Sequence, residues 1–339
     1  MRILVTGGAG FIGSHLTERL IAEGHDVSIL DDLSTGMIEN LDAVIADPRV
    51  RFVEGSVLDK PLVEQLVCEA DLVFHLAAAV GVKVIMEQPS RSMMTNINGT
   101  ENVLTAALID KTPVFIASTS EVYGKAAKIP FHEDDDLTIG ATRNLRWSYA
   151  CAKTLDEFLA LAYAREADLP VVVLRFFNTT GPRQTGRYGM VLPNFVQAAL
   201  EGAPLLIHGD GQQSRCFGHA LDVVEALVRL MNTPDAIGQV FNIGNDREIT
   251  IEALAKQVIE ATGSSSEIRF IPYEEVYPHG FEDMMRRVPD VQRLKSVTGF
   301  RPERSLATII EDIIAEKRSN SAKTGPSQIG ADITATGRT

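Results

Sequence analysis

A short apolar run that passes directly into a glycine-rich turn and then a helical pattern places the strongest constraint on the fold. Residues 2–7 (RILVTG) are rich in strand formers, and residues 8–24 (GAGFIGSHLTERLIAEG) repeat apolar residues at helical spacing. Gly7, Gly10 and Gly13 form a GxxGxxG pattern between the two. Glycines there let the backbone approach a pyrophosphate, whose charge then faces the helix N-terminus. The segment predicts a dinucleotide-binding turn, although such triplets also occur in purely structural turns.

The second apolar run strengthens this interpretation. It covers residues 26–32 (DVSILDD) and ends in Asp31, about twenty residues after the glycines. A carboxylate at this point accepts hydrogen bonds from the adenosine ribose hydroxyls and repels the 2′-phosphate of NADP. We therefore expect NAD as the cofactor.

Three further apolar runs set the fold class. They cover residues 51–59, 72–80 and 114–124, and helix-compatible sequence separates them. Strands that alternate with helices and are apolar on both faces indicate a parallel sheet covered on both sides. The sequence thus predicts an α/β protein with a Rossmann-type, doubly wound parallel sheet and a smaller C-terminal α/β substrate domain.

The domain bounds follow from the order of these patterns. We expect an NAD-binding domain over residues 1–175 and a mainly substrate-binding domain over residues 176–318, with the chain crossing between them more than once. Residues 319–339 are rich in Ser, Thr, Gly and Ala and have no apolar period, which is typical of a disordered tail.

Composition excludes several classes of protein. The formal net charge of −13 argues against a nucleic-acid binder, which would carry a basic patch. Because the first strand is predicted to begin at Arg2, we expect no signal-like leader, and the sequence contains no apolar run of the roughly 18 residues that a membrane span needs. Its three cysteines are widely spaced and predict neither a disulfide framework nor a zinc site. We expect a cytoplasmic protein with no membrane partner.

A tyrosine and a lysine lie four residues apart in RWSYACAK (146–153). Tyr149 and Lys153 would share one helix face, where a cation stabilises a phenolate whose ordinary pKa is about 10. By spacing alone, such a pair is more often solvated helix surface. Its position about thirty residues after a strand that ends in Ser118, Thr119 and Ser120 indicates a catalytic pair instead.

Five motifs in this order resemble the extended short-chain dehydrogenase/reductase superfamily, in its NAD-dependent nucleotide-sugar epimerase/dehydratase branch near UDP-glucose 4-epimerase and UDP-glucuronate decarboxylase. They are Gly7 to Gly13, Asp31, the HLAA of His75 to Ala78, Ser118 to Gly124, and Tyr149 to Lys153. The likeness runs from Arg2 to about Ala315. The family needs no metal, and we expect the carboxylates of HEDDD (132–136) to be solvated on a loop.

The resemblance implies the catalytic and cofactor-binding roles. Tyr149 would take a proton from the sugar hydroxyl being oxidised, Lys153 would lower the pKa of Tyr149 and hold the nicotinamide ribose, and Thr119 would bind the same hydroxyl. Glu121 would act in the step that follows. Ser56 departs from the family pattern, since relatives usually carry Asp there. The residues expected at NAD are Gly7, Gly10, Phe11, Ile12, Gly13, Asp31, Asp32, Ser56, Val57, Leu76, Ala77, Ala78, Asn96, Tyr149 and Lys153.

The resemblance also implies a nucleotide-sugar substrate, UDP-linked by expectation. Asn178, in NTTGP, and Arg215 would lie at the diphosphate, where a guanidinium engages two oxygens. The other residues expected at the substrate are Lys83, Ser120, Arg146 and Arg287, the last preferred over its neighbour Arg286. Relatives commonly form homodimers through two helices from each subunit, and the helix of Tyr149 would be one of them.

The motifs do not decide which reaction the protein catalyses. The shared first step is oxidation at the sugar C4 hydroxyl, after which epimerisation, decarboxylation or dehydration can follow. Glu121, Arg146 and Arg287 resemble UDP-glucuronate decarboxylases, which form UDP-xylose, whereas the loop at residues 78–89 and the segment at residues 174–195 resemble epimerases. The sequence alone favours 4-epimerisation of a UDP-hexose or UDP-hexuronate. UDP-glucuronate decarboxylase is the alternative, a 4,6-dehydratase is less favoured, and a non-catalytic NAD-binding regulator is remote because Tyr149 and Lys153 are both kept.

Overall fold

The computed structural model describes residues 1–81, 87–186, 190–276 and 284–324 of the 339-residue chain. Lys83, predicted to bind the substrate, lies outside the described residues. The strands are β1 (Arg2–Thr6), β2 (Asp26–Asp31), β3 (Val50–Glu54), β4 (Leu72–His75), β5 (Val114–Thr119), β6 (Val171–Phe176), β7 (Thr179–Thr180), β8 (Leu205–His208), β9 (Ser214–Cys216), β10 (Gly218–His219), β11 (Val240–Ile243), β12 (Glu248–Thr250), β13 (Ile268–Ile271) and β14 (Arg286–Arg287).

The helices connect and cover these strands. They are α1 (Phe11–Ala22), α2 (Lys60–Cys68), α3 (Pro89–Asp110), α4 (Ser148–Ala167), α5 (Val191–Glu201), α6 (Ala220–Met231), α7 (Ile251–Thr262), α8 (Tyr273–Val276), α9 (Gln292–Thr298) and α10 (Leu306–Thr324). Short 3-10 turns cover Ile38–Leu41, Ser120–Tyr123, Leu145–Trp147 and Pro234–Ala236.

A seven-stranded sheet forms the larger part of the molecule, in the order β11-β6-β5-β4-β1-β2-β3. Every pairing in it is parallel. Strands β2 and β3 follow β1 toward one edge of the sheet, and strands β4, β5, β6 and β11 then follow toward the opposite edge. This reversal leaves a crevice beyond the carboxyl ends of β1 and β4, which is where ligands bind in sheets of this kind. The doubly wound fold predicted from the sequence is confirmed.

The apolar core lies on both faces of this sheet, because successive residues of a strand point to opposite sides. Ile3 and Val5 pack with Leu16 and Leu227 on the face covered by α1 and α6. Leu4, between them in sequence, packs on the other face with residues of α3 and α4. A strand sandwiched in this way must be apolar at every position, which explains the continuous run in β1.

A smaller part follows mainly from α5 onward. Strands β8 and β13 pair in parallel, and β9 pairs with both β12 and β14. Helices α5, α7 and α10 enclose a separate apolar cluster that includes Phe195, Leu254 and Ile310. These elements stand over the crevice and form its second wall.

The two parts share chain segments. Strand β11 returns to the large sheet beside β6, and α6 packs against α1. The boundary between residues 175 and 176 therefore stays a prediction. Helix α10 continues to Thr324, beyond the predicted start of the tail at residue 319, and residues 325–339 lie outside the described part. Within the described ranges, the helices include none with the length and apolar character that crossing a membrane requires.

Candidate active site

A cavity of about 1150 Å³ occupies the crevice between the two parts. Nearly all of the residues predicted to bind the cofactor or the substrate, or to act in catalysis, line this cavity. They are Gly7, Gly10, Phe11, Ile12, Gly13, Asp31, Asp32, Ser56, Val57, Leu76, Ala77, Ala78, Thr119, Ser120, Glu121, Arg146, Tyr149, Asn178, Arg215 and Arg287. Asn96 and Lys153 lie behind this lining, buried in the wall.

The glycine turn forms one end of the cavity. Gly7 has a φ of +73°, and a Cβ on it would lie 2.8 Å from the backbone nitrogen of Ala77. A Cβ on Gly13 would lie 2.2 Å from the carbonyl oxygen of Gly7, so α1 can press against the turn only because that position has no side chain. Gly10 caps α1 without a side-chain hydrogen bond. The bare backbone and helix N-terminus suit the pyrophosphate of a dinucleotide.

Asp31 lies at the carboxyl end of β2, next to this turn. Its two carboxylate oxygens accept hydrogen bonds from the backbone N–H of Ala9 and of Leu33, each at 2.9 Å. Burial raises the pKa of Asp31, and these backbone hydrogen bonds oppose that rise. The carboxylate is thus fixed at the place where an adenosine ribose would present its hydroxyls. The residues present therefore fit NAD.

The adjacent wall follows β3 and β4. Ser56 and Val57 face the cavity, and the Ser56 hydroxyl accepts a hydrogen bond from the backbone N–H of Leu58 at 3.3 Å. Asn96, on α3, accepts from the backbone N–H of Ala79 at 2.7 Å and donates to its carbonyl at 3.3 Å. Asn96 therefore shapes the wall through the backbone of Ala79, which directly follows the HLAA segment, and it is not among the lining residues of the cavity.

Tyr149 and Thr119 meet where β5 ends beside α4. Thr119 is a hydrogen-bond partner of the Tyr149 phenol, and its hydroxyl also accepts from the backbone N–H of Glu121 at 3.2 Å. Burial raises the pKa of Tyr149, and the carboxylates of Glu121 and Asp156 raise it further. The Thr119 hydrogen bond and the charge of Arg146 act in the opposite direction. The pKa of Tyr149 is raised on balance, so the neutral phenol is favoured over the phenolate.

Lys153 lies one helical turn beyond Tyr149 and is only 2% exposed. Its ammonium is 2.7 Å from Oδ2 of Asp156, which is 1% exposed. Sequence reasoning missed Asp156, since an acid three residues after a lysine on a helix is usually a surface ion pair.

Glu121 is held by two arginines from different parts of the chain. Arg146, in the 3-10 turn before α4, places Nη2 2.6 Å from Oε2 of Glu121. Arg287, on β14, places Nη1 2.6 Å from Oε1. All three side chains are nearly buried. Because one carboxylate faces two guanidinium groups, this end of the cavity keeps a net positive charge.

A second buried ion pair supports the floor. Arg175, on β6, places Nη2 2.7 Å from Oε2 of Glu157 on α4. Arg175 also donates to the Tyr123 hydroxyl at 3.0 Å, and Ser118 donates to Glu157. These contacts tie β5, β6 and α4 together beneath Thr119 and Tyr149. The sequence patterns gave no sign of this pair.

The substrate end lies under α5 and β9. Asn178 faces the cavity and donates to the carbonyl of Cys216 at 3.2 Å. Arg215 is buried along the cavity wall and donates to the carbonyl of Ser214 at 2.8 Å. Arg286, in contrast, is exposed and paired with Glu248. Of the two neighbouring arginines, only Arg287 lines the cavity.

One expectation about the HEDDD segment is wrong. Glu133 is not solvated: its side chain is buried, and its carboxylate accepts from the backbone N–H of Asn242 at 2.9 Å. Burial raises the pKa of Glu133. The residue joins a loop to β11 and faces away from the cavity lining.

Comparisons with known proteins agree with this geometry. Residues 3–244 match the sequence model of the NAD dependent epimerase/dehydratase family. A UDP-N-acetyl-α-D-glucosaminuronate decarboxylase of Bacillus cytotoxicus is 47% identical over 302 residues, which are 89% of this chain and 92% of the relative. UDP-glucuronic acid decarboxylase 1 of Xenopus tropicalis is 35% identical, over 89% of this chain and 68% of the relative. UDP-glucose 4-epimerase of Thermotoga maritima, solved with UDP-glucose, superposes with a TM-score of 0.84 at 32% identity, over 94% and 99% of the two chains.

Proposed function

The chain belongs to the NAD dependent epimerase/dehydratase family, and we propose that within it the protein is a decarboxylase of a UDP-hexuronate. The observation that carries the proposal is the pairing of Glu121 with both Arg146 and Arg287. Both arginines line the cavity. Two guanidinium groups beside one carboxylate can also receive a second carboxylate, such as the one at C6 of a hexuronate.

The first step uses the side chains at the end of β5 and on α4. Tyr149 accepts the proton of the C4 hydroxyl, while Thr119 hydrogen-bonds to the same oxygen and orients it. The charge of Lys153 favours the phenolate form. NAD, held by the glycine turn and Asp31, would supply the hydride-transfer chemistry at C4. The product of this step is a 4-keto sugar whose C6 carboxylate is β to the ketone.

The second step breaks the bond between C5 and C6. The electron pair of that bond moves toward the C4 carbonyl, CO₂ leaves, and the resulting enolate takes one proton at C5. Arg287 and Arg146 orient the departing carboxylate, and Thr119 and Tyr149 donate hydrogen bonds to the oxygen where negative charge develops. Glu121 holds the two guanidinium groups in place for this contact. Reduction at C4 then gives a UDP-linked pentose.

Decarboxylation of UDP-glucuronate is the alternative that the sequence leaves open beside 4-epimerisation. The epimerase-like loop at residues 78–89 had favoured epimerisation, but residues 82–86 of it lie outside the described part. The two buried arginines favour a UDP-hexuronate as the substrate, because a neutral hexose offers no negative charge at C6 to meet them. The relatives from Bacillus cytotoxicus and Xenopus tropicalis, both named decarboxylases, support decarboxylation over 4-epimerisation of that hexuronate.

Proton NMR of the purified protein with NAD tests the reaction. Separate incubations would contain UDP-glucuronate, UDP-N-acetylglucosaminuronate and UDP-glucose. We expect at least one hexuronate to release CO₂ and to give a pentose with two protons at C5, and we expect UDP-glucose to remain unchanged. The Tyr149→Phe variant is the inactive control. A product with inverted C4 and an intact C6 would instead establish the epimerase.

We also propose that the protein is a homodimer through α3 and α4. Helix α4 exposes Leu155 and Phe158, the latter 67% exposed, and the neighbouring α3 exposes Met94 and Ile109. Apolar side chains of this size on two packed helices are typical of an interface. Sedimentation should show a dimer that Phe158→Glu dissociates. Phe270→Glu, which charges an exposed phenylalanine on β13, is the matched control and should leave the dimer intact.

A cytoplasmic location is proposed from the state of the cysteines. Cys68, Cys151 and Cys216 are all free, and Cys216 is buried. Free thiols persist where the compartment is reducing. Fractionation of the native host would test this proposal, and recovery of the protein outside the cytoplasm would overturn it.

A further inference from the structure

The ion pair between Lys153 and Asp156 is buried more deeply than the rest of the proposed catalytic centre. Both side chains are at most 2% exposed, and the ammonium lies 2.7 Å from Oδ2 of Asp156. An ammonium removed from water keeps its charge only beside a counter-charge. Among the ion pairs of the described residues, that of Lys153 is with Asp156.

A line of hydrogen bonds leads from this pair into the core of the sheet. Thr100, on α3, is a hydrogen-bond partner of Asp156 and also lies 3.2 Å from Nε2 of His75. Nδ1 of His75 lies 2.8 Å from the Thr6 hydroxyl. Burial, with a smaller contribution from the charge of Lys153, lowers the pKa of His75 to about 3, so His75 stays neutral in the working pH range. Burial raises the pKa of Asp156, and the charge and hydrogen bond of Lys153 together with the hydrogen bond from Thr100 oppose that rise.

Other charged groups near the pair have partners of their own. Glu157, the next residue on α4, is paired with Arg175 and accepts from Ser118. Glu121 is paired with Arg146 and Arg287 at the far side of Tyr149. The counter-charge of Lys153 therefore depends on Asp156.

We propose that Asp156 is a positioning residue for catalysis, which anchors the Lys153 ammonium one helical turn from Tyr149. This inference rests on the proposed function, because it assumes that Tyr149 acts as the base. On α4, Lys153 lies four residues after Tyr149 and Asp156 lies seven after it. The charge of Asp156 by itself raises the pKa of Tyr149, but loss of the carboxylate also releases the ammonium from its place beside the tyrosine. We expect this second effect to dominate, so that the phenolate forms only at higher pH.

The test compares Asp156→Asn, which keeps the shape and removes the charge, with the parent holoenzyme. Below the pKa of its base, an enzyme's kcat/KM follows the fraction of base that is deprotonated, so a shift of about one unit costs about tenfold at fixed pH. We expect kcat/KM of Asp156→Asn to fall about tenfold at neutral pH and to recover when the pH rises by about one unit. Glu166→Gln removes an exposed charge from the same helix and should leave the profile unchanged.

A second readout does not depend on turnover. Tyrosinate absorbance of the NAD-loaded protein is titrated with and without Tyr149→Phe, and the difference isolates Tyr149. Its transition should move to higher pH in Asp156→Asn and return toward the parent position in Asp156→Glu. Thr100→Val removes the hydrogen bond to Asp156 at constant shape, and it should move the transition of Tyr149 less far in the same direction. This variant replaces Asp156→Asn as the test if Asp156→Asn does not fold.

Two outcomes would overturn the inference. An unchanged profile in Asp156→Asn would make Asp156 merely structural, and a shift to lower pH would show that its charge only opposes the phenolate. The proposed function fails separately, since that requires Tyr149→Phe to keep full turnover. An inactive Tyr149→Phe together with an unshifted Asp156→Asn would reject only the role of Asp156.

Discussion

Nη1 of Arg287 lies 2.6 Å from Oε1 of Glu121. Arg287 is on β14, near the C-terminal end, whereas Glu121 follows β5 of the large sheet. The contact therefore joins the two parts of the molecule across the cavity. It also fixes the arginine next to the side chains proposed to act on the sugar.

Arg287→Gln should impair decarboxylation strongly. The variant removes one of the two cations and leaves Arg146 to serve both Glu121 and the substrate carboxylate. Truncating one member of a buried charge pair costs roughly 2–5 kcal/mol, so we expect kcat/KM for the hexuronate to fall by at least about 30-fold. Steady-state rates of CO₂ release measure the effect.

Arg286→Gln is the matched control, because Arg286 is the adjacent residue and is exposed in a pair with Glu248. An exposed pair contributes less than about 1 kcal/mol. We expect nearly parental kcat/KM from this variant. Equal losses in the two variants would mean that Arg287 acts only through the stability of β14.

Features encoded in contiguous sequence were the ones that could be predicted. Gly7, Gly10 and Gly13, the acid at the end of β2 and the alternation of strands and helices are each visible within about thirty residues. Their consequences, the parallel sheet and the NAD-dependent family, are confirmed by the strand order and the family match. Residue roles carried over from the resemblance stay predictions, although the structure brings almost all of those residues to one cavity.

Contacts between distant segments could not be predicted. Glu121, Arg146 and Arg287 were each expected at the site, but nothing in their spacing indicates that they touch one another. Glu133 was expected in solvent because consecutive carboxylates on a loop are usually solvated, and its partner, Asn242, lies 109 residues away. Asp156 lies on α4, which packs against α3, and its side chain is buried. Burial of a polar residue depends on tertiary packing, which local patterns do not record.

Tyr149→Phe should nearly abolish turnover and leave the fold intact. The phenol hydroxyl is the only group lost, and its oxygen is the proposed acceptor of the proton from the C4 hydroxyl. Positioned acid–base groups contribute about 10²–10⁴-fold, so we expect kcat to fall by a factor in this range. Initial rates, with NAD content determined after denaturation, separate loss of chemistry from loss of cofactor.

Tyr163→Phe, farther along α4, makes the same chemical change where the ring packs against the core. Its turnover should remain close to that of the parent. A slow Tyr163→Phe, or a Tyr149→Phe that keeps more than about a tenth of the parental rate, would contradict the assignment of the base.

Gly13→Ala should weaken the cofactor site. The added Cβ would lie 2.2 Å from the carbonyl oxygen of Gly7 and 2.7 Å from Cα of Gly8, and both are backbone atoms that cannot rotate away. Overpacking of this kind costs roughly 1–3 kcal/mol. We expect a lower melting temperature and little NAD bound to the purified protein. Gly218→Ala adds the same methyl group where the nearest atoms are 3.5 Å away, and it should leave both measurements near the parental values.

His75 should make the folded protein sensitive to acid. Its pKa is lowered to about 3 in the folded state by burial, whereas an unfolded histidine titrates near 6.5. Between these values the unfolded chain binds the extra proton, so stability falls as the pH falls, by about 1.4 kcal/mol per pH unit, and this loss is absent above pH 6.5.

From pH 7 to pH 5 the parent should lose about 2 kcal/mol more of its free energy of unfolding than His75→Gln does. Urea unfolding at both pH values measures the difference, and His25→Gln, a replacement outside the core, should lose as much as the parent. Equal losses in the parent and His75→Gln would show that His75 does not stay neutral in the fold.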